Sequence, residues 1–483
     1  MTLRQKAVQG VIWSVIQSWG RQAVSFIVFS LLARLLGPEA FGLVALAWVF
    51  LGLIQIFIDQ GFADVIIQRE QLDPEHLDTA FWTNLGIGVL LTVSSIVAAR
   101  FVADLFNQPQ LTPIIRWLSI IFLLSALSGV QEAIFKRNLA FKTLAIRELV
   151  AVIFGSVVGV TMAFTGFGVW SLVGQQLVSA FVQVLVLWGS SNWRPKLKFS
   201  PKHFKELFFF GINVVGIRIL NFLNLRADNF LIGYFLGSVA LGYYNIAYRM
   251  FELIIYSLVG VINGITMPVF SRLQQEPEQL RKVFYKLIRF SNLISFPIFL
   301  GLSALAPELV VTLFGEKWIP SILVLQILCL VGILVSFYFN DSILISVDKP
   351  SWSLALNLLG TIINIVAFSI AVRGGIVAVA GATVISNILL IPFTLWVIYK
   401  AVRIDLVTYL RQYLAPLAGT IVMVIGILGI KYLLHELVNT QALLAISIGF
   451  GIVVYPVTIR LIAPILFWQV IDLVRSTLPQ TTK

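Results

Sequence analysis

Residues 14 to 25 read SVIQSWGRQAVS, and Arg21 is the single charge in the apolar run from 7 to 33. At about 100° per residue, Ser14, Gln17, Ser18 and Ser25 all fall within about 60° of Arg21 on a helix. One face therefore carries Arg21 and these four polar groups. Arginine keeps its proton and presents a planar fork of N–H donors that suits phosphate oxygens.

Two further stretches repeat the theme. Asn245, Arg249, Glu252, Tyr256 and Asn263 fall on one face with a spread of roughly 40°. GINVVGIRILNFLNLRADNF (211–230) carries Arg218, Asn221, Asn224, Arg226, Asp228 and Asn229 around more than half of its circumference. Gln55 and Asp59 sit one helical turn apart, with Asp64 beyond them. A charge at the centre of a bilayer costs at least about 2.5–3.5 kcal/mol, so such groups pair or line a cavity. Both outcomes stay open for Arg249 with Glu252, and for Arg226 with Asp228 or Asp59. Arg21 and Arg218 have no acidic residue within a turn of their own helix, and they are expected to meet an anion. Asp59, Asp64, Asp228 and Glu252 are expected as ion-pair or coupling groups.

Other chemistries lack their residues. No HExxH, GxSxG, P-loop or Cys/His cluster occurs, and His76, His203 and His435 lie far apart in expected loops. No catalytic residue, metal site or cofactor is expected. Cys329, the single cysteine, lies in an apolar run and has no partner for an internal disulfide.

The elements that must hold these stripes are membrane helices. The chain has 483 residues, 59% hydrophobic and 12% charged. A soluble domain is nearer half apolar and a quarter charged. Runs such as ALAWVFLGLIQIFI and LLAISIGFGIVVYPV are too long and too uniformly apolar for barrel strands. The reading is an all-α polytopic membrane protein with about fourteen spans. Their expected limits are 9–33, 41–66, 80–103, 113–134, 146–165, 168–189, 207–234, 240–266, 287–307, 318–339, 352–372, 376–399, 412–433 and 441–459.

Lysine and arginine orient them. The N-terminus and every second connection hold 24 of the 34 basic residues, the opposite connections hold 6, and the remaining 4 lie inside spans. The positive-inside bias places both termini in the cytoplasm. The net charge of +12 then reflects loops facing anionic headgroups, not nucleic-acid binding. SSNWRPKLKFSPKHFKE, the longest cytoplasmic connection, reads as a basic linker at the membrane surface.

An internal repeat is visible. LLGPEAFG (35–42) and FLGSVALG (235–242) share Leu36/Leu236, Gly37/Gly237, Ala40/Ala240 and Gly42/Gly242 at an offset of 200, and Ala47 matches Ala247. The second copy follows six spans and keeps the orientation of the first. Parallel repeats related by an axis along the membrane normal are an established transporter plan, with the substrate between the halves. Residues 1–200 and 201–404 are thus expected as two six-helix lobes. Residues 405–483 add two helices and an amphipathic tail.

The chain resembles the polysaccharide-transport branch of the multidrug/oligosaccharidyl-lipid/polysaccharide exporter superfamily, the Wzx-type flippases. The resemblance is carried by LLARLLGPEAFGLVALA (31–47) with IDQGFADVIIQRE after it, RNLAFKTLA (137–145) and GFGVWSLV (166–173). It continues in LRADNFLIGYFLGSVALGYYNIAYR (225–249), MPVFSRLQ (267–274) and LFGEKWIPS (313–321). It implies a carrier of undecaprenyl-diphosphate-linked sugar repeats in the bacterial inner membrane, acting as a monomer by alternating access. It also implies cavity arginines on the diphosphate, namely Arg21 and with it Arg218, Arg226 and Arg249. By analogy with the lipid-II flippases of the superfamily, spans 13 and 14 would form a groove for the polyprenyl tail. A coupling ion, proton or sodium, and neighbouring polymerase and glycosyltransferases are further implied partners. A cation-coupled drug antiporter is the alternative, and Arg21 has the wrong charge for it. A membrane glycan polymerase or ligase ranks third, because the external turns GPEAFG, TGFG and GSVAL are too short to carry catalytic groups.

Overall fold

The computed structural model describes residues 3–58, 66–67, 74–334 and 339–477. Within these, side chains are described outside 3–12, 14–18, 74, 202–215, 217, 260–265 and 473–477. Asp59 and Asp64 lie outside the described residues, as do the side chains of Ser14, Gln17, Ser18 and Asn263. The chain divides into two compact units, residues 1–245 and 246–483.

Every regular element among the described residues is helical. The first unit holds α1 (Leu3–Leu35), α2 (Pro38–Gln55), α3 (Pro74–Leu105), α4 (Leu111–Leu118), α5 (Ile120–Arg137), α6 (Phe141–Phe164) and α7 (Trp170–Ser190). α8 (Pro201–Leu273) runs from the first unit into the second. The second continues with α9 (Pro277–Phe314), α10 (Ser321–Gly332), α11 (Phe339–Ser346), α12 (Pro350–Ala371), α13 (Gly375–Val402), α14 (Leu406–Leu434), α15 (Thr440–Ile462) and α16 (Pro464–Thr477).

Ten helical stretches among the described residues are long and apolar enough to cross a membrane. Two of them are too long for one crossing. Arg218–Val259 has 42 residues and Pro350–Val402 has 53, whereas about 20 span a hydrocarbon core. Each is broken by the backbone. Gly237 has φ 81 and ψ −178 inside α8, and a 3-10 turn at Val372–Gly374 leads into Gly375 at φ 85. Only glycine adopts such angles without a Cβ penalty. The α8 break reverses the chain: Tyr244 Oη donates to Asp228 Oδ2 at 2.7 Å, residues that would stand about 24 Å apart on an unbroken helix.

Two expected spans take other forms. The segment 318–339 holds α10, only 12 residues long, or about 18 Å of helix against a 30 Å core. Its polar end YFND leads into α11, whose Phe339, Ile343 and Leu344 are fully packed. The segment 113–134 is two helices, α4 and α5, that meet at Ser119. Elsewhere helices outrun the apolar pattern, most of all α9, which begins ten residues before the expected 287. The overhang is amphipathic, with Leu280, Phe284 and Ile288 buried against Phe339, Ile398 and Tyr409.

In the first unit α6 packs on α1 and α7, α3 on α4 and α5, and α5 on α7. Gly155 and Gly159 of α6 let α7 approach until Gln175 and Ser179 would touch an added Cβ, the close packing that small residues permit between membrane helices. The basic linker after α7 is strapped along the start of α3. Lys196 N donates to Asp78 Oδ1 at 3.0 Å, Ser200 N donates to Thr79 Oγ1 at 3.1 Å, and Lys198 pairs with Glu75 at 3.2 Å. His76, expected in a loop, is buried in the first turn of α3.

The turn after α1 meets the turn at the α8 break. A Cβ built on Gly42 would overlap the carbonyl of Ser238, and one built on Gly242 would overlap the carbonyl of Pro38. The two contacts exchange positions at an offset of 200. Burial follows the same offset: residues 32, 33, 41, 42, 44, 46 and 47 are buried, and so are 232, 233, 241, 242, 244, 246 and 247.

In the second unit α9, α14 and α15 pack together, as do α10, α12 and α13 in sequence around α13. Lys431, expected in an external loop, lies in the last turn of α14 and reaches α9. Its Nζ stands 2.8 Å from Glu308 Oε1 and donates to Ala304 O at 2.8 Å. Both side chains are largely covered, so removing one leaves the other charged and unpaired. Lys431→Met should lower stability by about 3 kcal/mol, read as thermal unfolding in detergent. Lys431→Met with Glu308→Leu should recover most of that loss, and a double variant as unstable as the single would refute the pairing.

Candidate functional site

Arg21 sits on α1 where α1 meets the second turn of α6. Gly20 lies against Leu149, and Arg21 Nε is 3.6 Å from Glu148 Oε1. That distance is an ion pair beyond hydrogen-bonding range. The Arg21 side chain is 52% exposed, and it makes no hydrogen bond among the described residues. Its open side differs from the most exposed apolar face of the helix. Trp19 and Ile27, the strongly exposed apolar residues of α1, point about 160° and 120° away from it.

Glu148 belongs to a larger cluster. Arg147 NH2 pairs with Glu148 at 3.0 Å, Arg147 NH1 with Glu132 at 2.7 Å, and Lys136 with Glu132 at 2.9 Å. Arg147 is buried, its side chain 6% exposed. The tight turn between α5 and α6, with Leu139 at φ 54, sets the last turns of α5 beside the first turns of α6. The cluster carries three positive and two negative charges, a local excess that favours an anion at its exposed cations, Arg21 and Lys136. Of the two, Arg21 lies within the apolar run of α1.

Sequence reasoning counted Arg147 among loop cations and overlooked Glu132 and Glu148. Helix α6 starts at Phe141, five residues before the expected limit, so Arg147 lies in its second turn and folds inward. The available signal was Glu132 and Lys136 at i, i+4, which marks the end of α5 as helical.

Arg249 pairs with Glu252 as the i, i+3 spacing suggested, NH1 to Oε2 at 3.2 Å, with the arginine side chain 52% exposed and the glutamate nearly covered. Asn245 on the same face turns back, its Nδ2 donating to Leu241 O at 3.0 Å. Tyr256 is exposed. On the first arm of α8, Asp228 is buried and bound on both oxygens, by Tyr244 Oη and by the Asn229 amide at 2.7 Å. Its partner is a phenol across the break. Arg218, Asn224 and Arg226 are half-buried, Asn221 is exposed and Asn229 is buried. Ser25, on the Arg21 face, is half-buried.

The second unit contains an apolar groove of about 410 Å³ between α8, α9, α14 and α15, lined by Ile254, Gly301, Leu305, Met423, Ile427 and Gly451 among others. Ser447 is its polar exception apart from Tyr455, whose hydroxyl is engaged by Leu293 O at 2.8 Å. Such a lining accepts a hydrocarbon and rejects a sugar.

The two classes of arginine differ in what their loss should cost. Arg147→Met should destabilise the folded protein by about 2–3 kcal/mol, because it removes the buried guanidinium that joins Glu132 and Glu148 and leaves them only Lys136 and Arg21 among the described residues. Arg21→Met should cost less than about 1 kcal/mol, as for an exposed pair. For Arg249 and Glu252 a double-mutant cycle should give a coupling of about 0.5 kcal/mol. Thermal unfolding in detergent reads all three, and equal losses for Arg147 and Arg21 would contradict the assignment.

Comparison with known proteins places this geometry. A family model described as "Polysaccharide biosynthesis protein" matches residues 31–323. The chain is 30% identical over 421 residues to the lipopolysaccharide biosynthesis protein WzxC of Escherichia coli, covering 86% of this chain and 85% of that one. It is 26% identical to the succinoglycan biosynthesis transport protein ExoT of Rhizobium meliloti, covering 99% and 98%. It is also 25% identical to the teichuronic acid biosynthesis protein TuaB of Bacillus subtilis, covering 94% and 95%. In fold it is similar to the lipid II flippase MurJ in its inward closed conformation, with a TM-score of 0.75 at 14% identity over 94% and 99% of the two chains. An inward-facing multidrug resistance MATE family transporter follows at 0.62 and 20% identity, over 79% and 94%. The chain therefore belongs to the polysaccharide biosynthesis protein family, within the Wzx-type branch of the multidrug/oligosaccharidyl-lipid/polysaccharide exporter superfamily.

Proposed function

We propose that the chain carries an undecaprenyl-diphosphate-linked oligosaccharide repeat across the bacterial inner membrane by alternating access, without covalent chemistry. The observation that carries this reading is Arg21. It is a permanently charged, half-exposed guanidinium on an apolar helix, whose ion pair among the described residues is a 3.6 Å contact to Glu148. A diphosphate supplies what such a group lacks, a strong planar acceptor, and charge-assisted contacts of this kind are shorter and stronger than neutral ones. Arg218, Arg226 and Arg249 are the further cations this reading assigns to the diphosphate. Gln17, Ser14, Ser18, Ser25, Asn221, Asn224 and Asn245 supply hydroxyl and amide groups for the glycan. The apolar groove of the second unit takes the polyprenyl tail, which keeps the lipid part in a lipid-like setting.

The topology proposed with it has fourteen crossings and both termini in the cytoplasm. The ten long apolar stretches, the breaks that divide two of them, and α1 support a large part of that count. Five cations expected on the cytoplasmic side, Lys142, Arg194, Lys286, Lys349 and Lys400, each stack on an aromatic ring, as interfacial anchors do. Lobes 1–200 and 201–404 about a pseudo-two-fold axis are supported by the exchanged contacts of Gly42 and Gly242. The relatives' names, which refer to lipopolysaccharide, succinoglycan and teichuronic acid, agree with a glycan cargo. A cationic drug fits worse. The described acidic groups near these stripes, Glu148, Asp228 and Glu252, are already engaged by Arg147, Tyr244 and Arg249.

Arg21→Ala should abolish export of the cognate glycan at near-normal membrane levels of the protein, while the lipid-linked sugar accumulates inside. Glycan at the cell surface and extracted lipid-linked intermediates are the readouts. Normal export by Arg21→Ala cells would rule out the diphosphate clamp at this residue.

A further inference from the structure

The contacts of Gly42 and Gly242 do more than join two turns. Gly42 lies in the second turn of α2, and Gly242 in the second turn of the arm that follows Gly237. Each glycine Cα is pressed on the first carbonyl of the other element, Ser238 or Pro38. No side chain intervenes at either point, so a backbone meets a backbone twice, in reciprocal fashion. Around this seam the packing is complete: Phe41, Leu43, Leu46 and Ala47 are buried on α2, and Ile232, Leu241 and Tyr244 on α8, while Leu46 fills the space beside Gly233. Ser238 is 3% exposed.

The seam is placed where a carrier needs a seal. Along α1 it lies about 21 Å from Arg21, at 1.5 Å per residue from 21 to 35. Arg21 itself pairs with the second turn of α6, at the opposite end of that helix from the TGFG turn. A site loaded at the Arg21 end must be shut at the other end, or the membrane leaks through the cavity. A double backbone contact suits this task because it has two states only. Either the glycines touch and the seam is dry, or they part and water enters. It contains no charge to desolvate and no side chain to reorder, so opening it repeatedly costs little beyond the apolar area exposed.

We infer that the reciprocal contact of Gly42 with Ser238 and of Gly242 with Pro38 is the outer gate of the carrier, closed in this structure. The inference rests on the alternating-access reading above. It assigns to the two glycines a positioning role: they hold no cargo, and they set whether the cavity can close.

The test exploits a sign conflict. Alanine favours a helix over glycine by about 1 kcal/mol, so Gly42→Ala and Gly242→Ala should not weaken their helices. Either methyl group, however, occupies the space of a carbonyl oxygen. Ser238→Cys in the full-length protein reports the seam through a membrane-impermeant maleimide, applied to intact cells and to inverted membrane vesicles. The native Cys329 is fully buried, and the unsubstituted protein gives its baseline. With both glycines present, Ser238→Cys should label slowly from either side. Adding Gly42→Ala or Gly242→Ala should raise labelling from the outside roughly tenfold, a shift of about 1.4 kcal/mol toward the open state. Export should fall in parallel. Gly37→Ala, at a position with open space around it, should change neither. Labelling that ignores both substitutions would overturn the gate, as would equally fast labelling with both glycines intact. Absence of folded protein in both alanine variants would overturn it too, by making the contact a folding requirement. Labelling needs no cargo, so the seam is read independently of whether the diphosphate assignment holds.

Discussion

A guanidinium in an apolar segment must find a carboxylate or water, and this constraint orders the molecule. Desolvating a charge costs several kcal/mol, and only close, well-aligned partners recover it. Arg147 takes the first solution completely, with two carboxylates at 2.7 and 3.0 Å and almost no exposure. Arg21 takes the second: its carboxylate is shared with Arg147, stands 3.6 Å away, and leaves half the side chain open. One cluster around the buried Arg147 thus joins α1, α5 and α6 and leaves Arg21 and Lys136 displayed.

The backbone obeys a parallel rule. In a hydrocarbon medium every amide must be bonded within its own helix, so a chain turns only where a short break can be protected. Gly237, Gly166 with Gly168, and Gly375 mark such breaks by their positive φ. The break at Gly237 is held by the buried Asp228–Tyr244 hydrogen bond, which uses the one strongly polar pair available there. That bond gives the buried acid of the first arm of α8 a partner within the fold. It also fixes the angle at which Gly242 is delivered to Pro38.

Much of this was legible in the residues. That the chain is helical and crosses a membrane many times follows from length and hydropathy, because bilayer thickness sets helix length. Gly37, Gly42 and Ala47 recur at an offset of 200, and the burial pattern follows the same spacing. The partner of Arg21 was not legible, since Glu148 lies on another helix and no sequence spacing pairs α1 with α6. Apolar periodicity marks what lipid sees. It is silent about polar overhangs such as the first turns of α6 and α9. The strap from Lys196 to Ser200 was hidden for a related reason: main-chain donors meeting Asp78 and Thr79 leave no trace in side-chain type.

The same limit explains why glycine carried two meanings here. In sequence, Gly42 and Gly242 read as repeat markers beside a turn. In three dimensions their lack of a Cβ lets two helices approach until carbonyl meets Cα, a contact no larger residue permits. A family signature and a mechanical joint are then one feature seen from two sides. Arg21 and the two glycines stand about 21 Å apart along α1. Arginine keeps its charge at any physiological pH, which suits the anion contact proposed for it. Glycine leaves no side chain at its contact, which suits the proposed gate. A carrier for an amphiphilic anion would need both properties, and would need them at separate places.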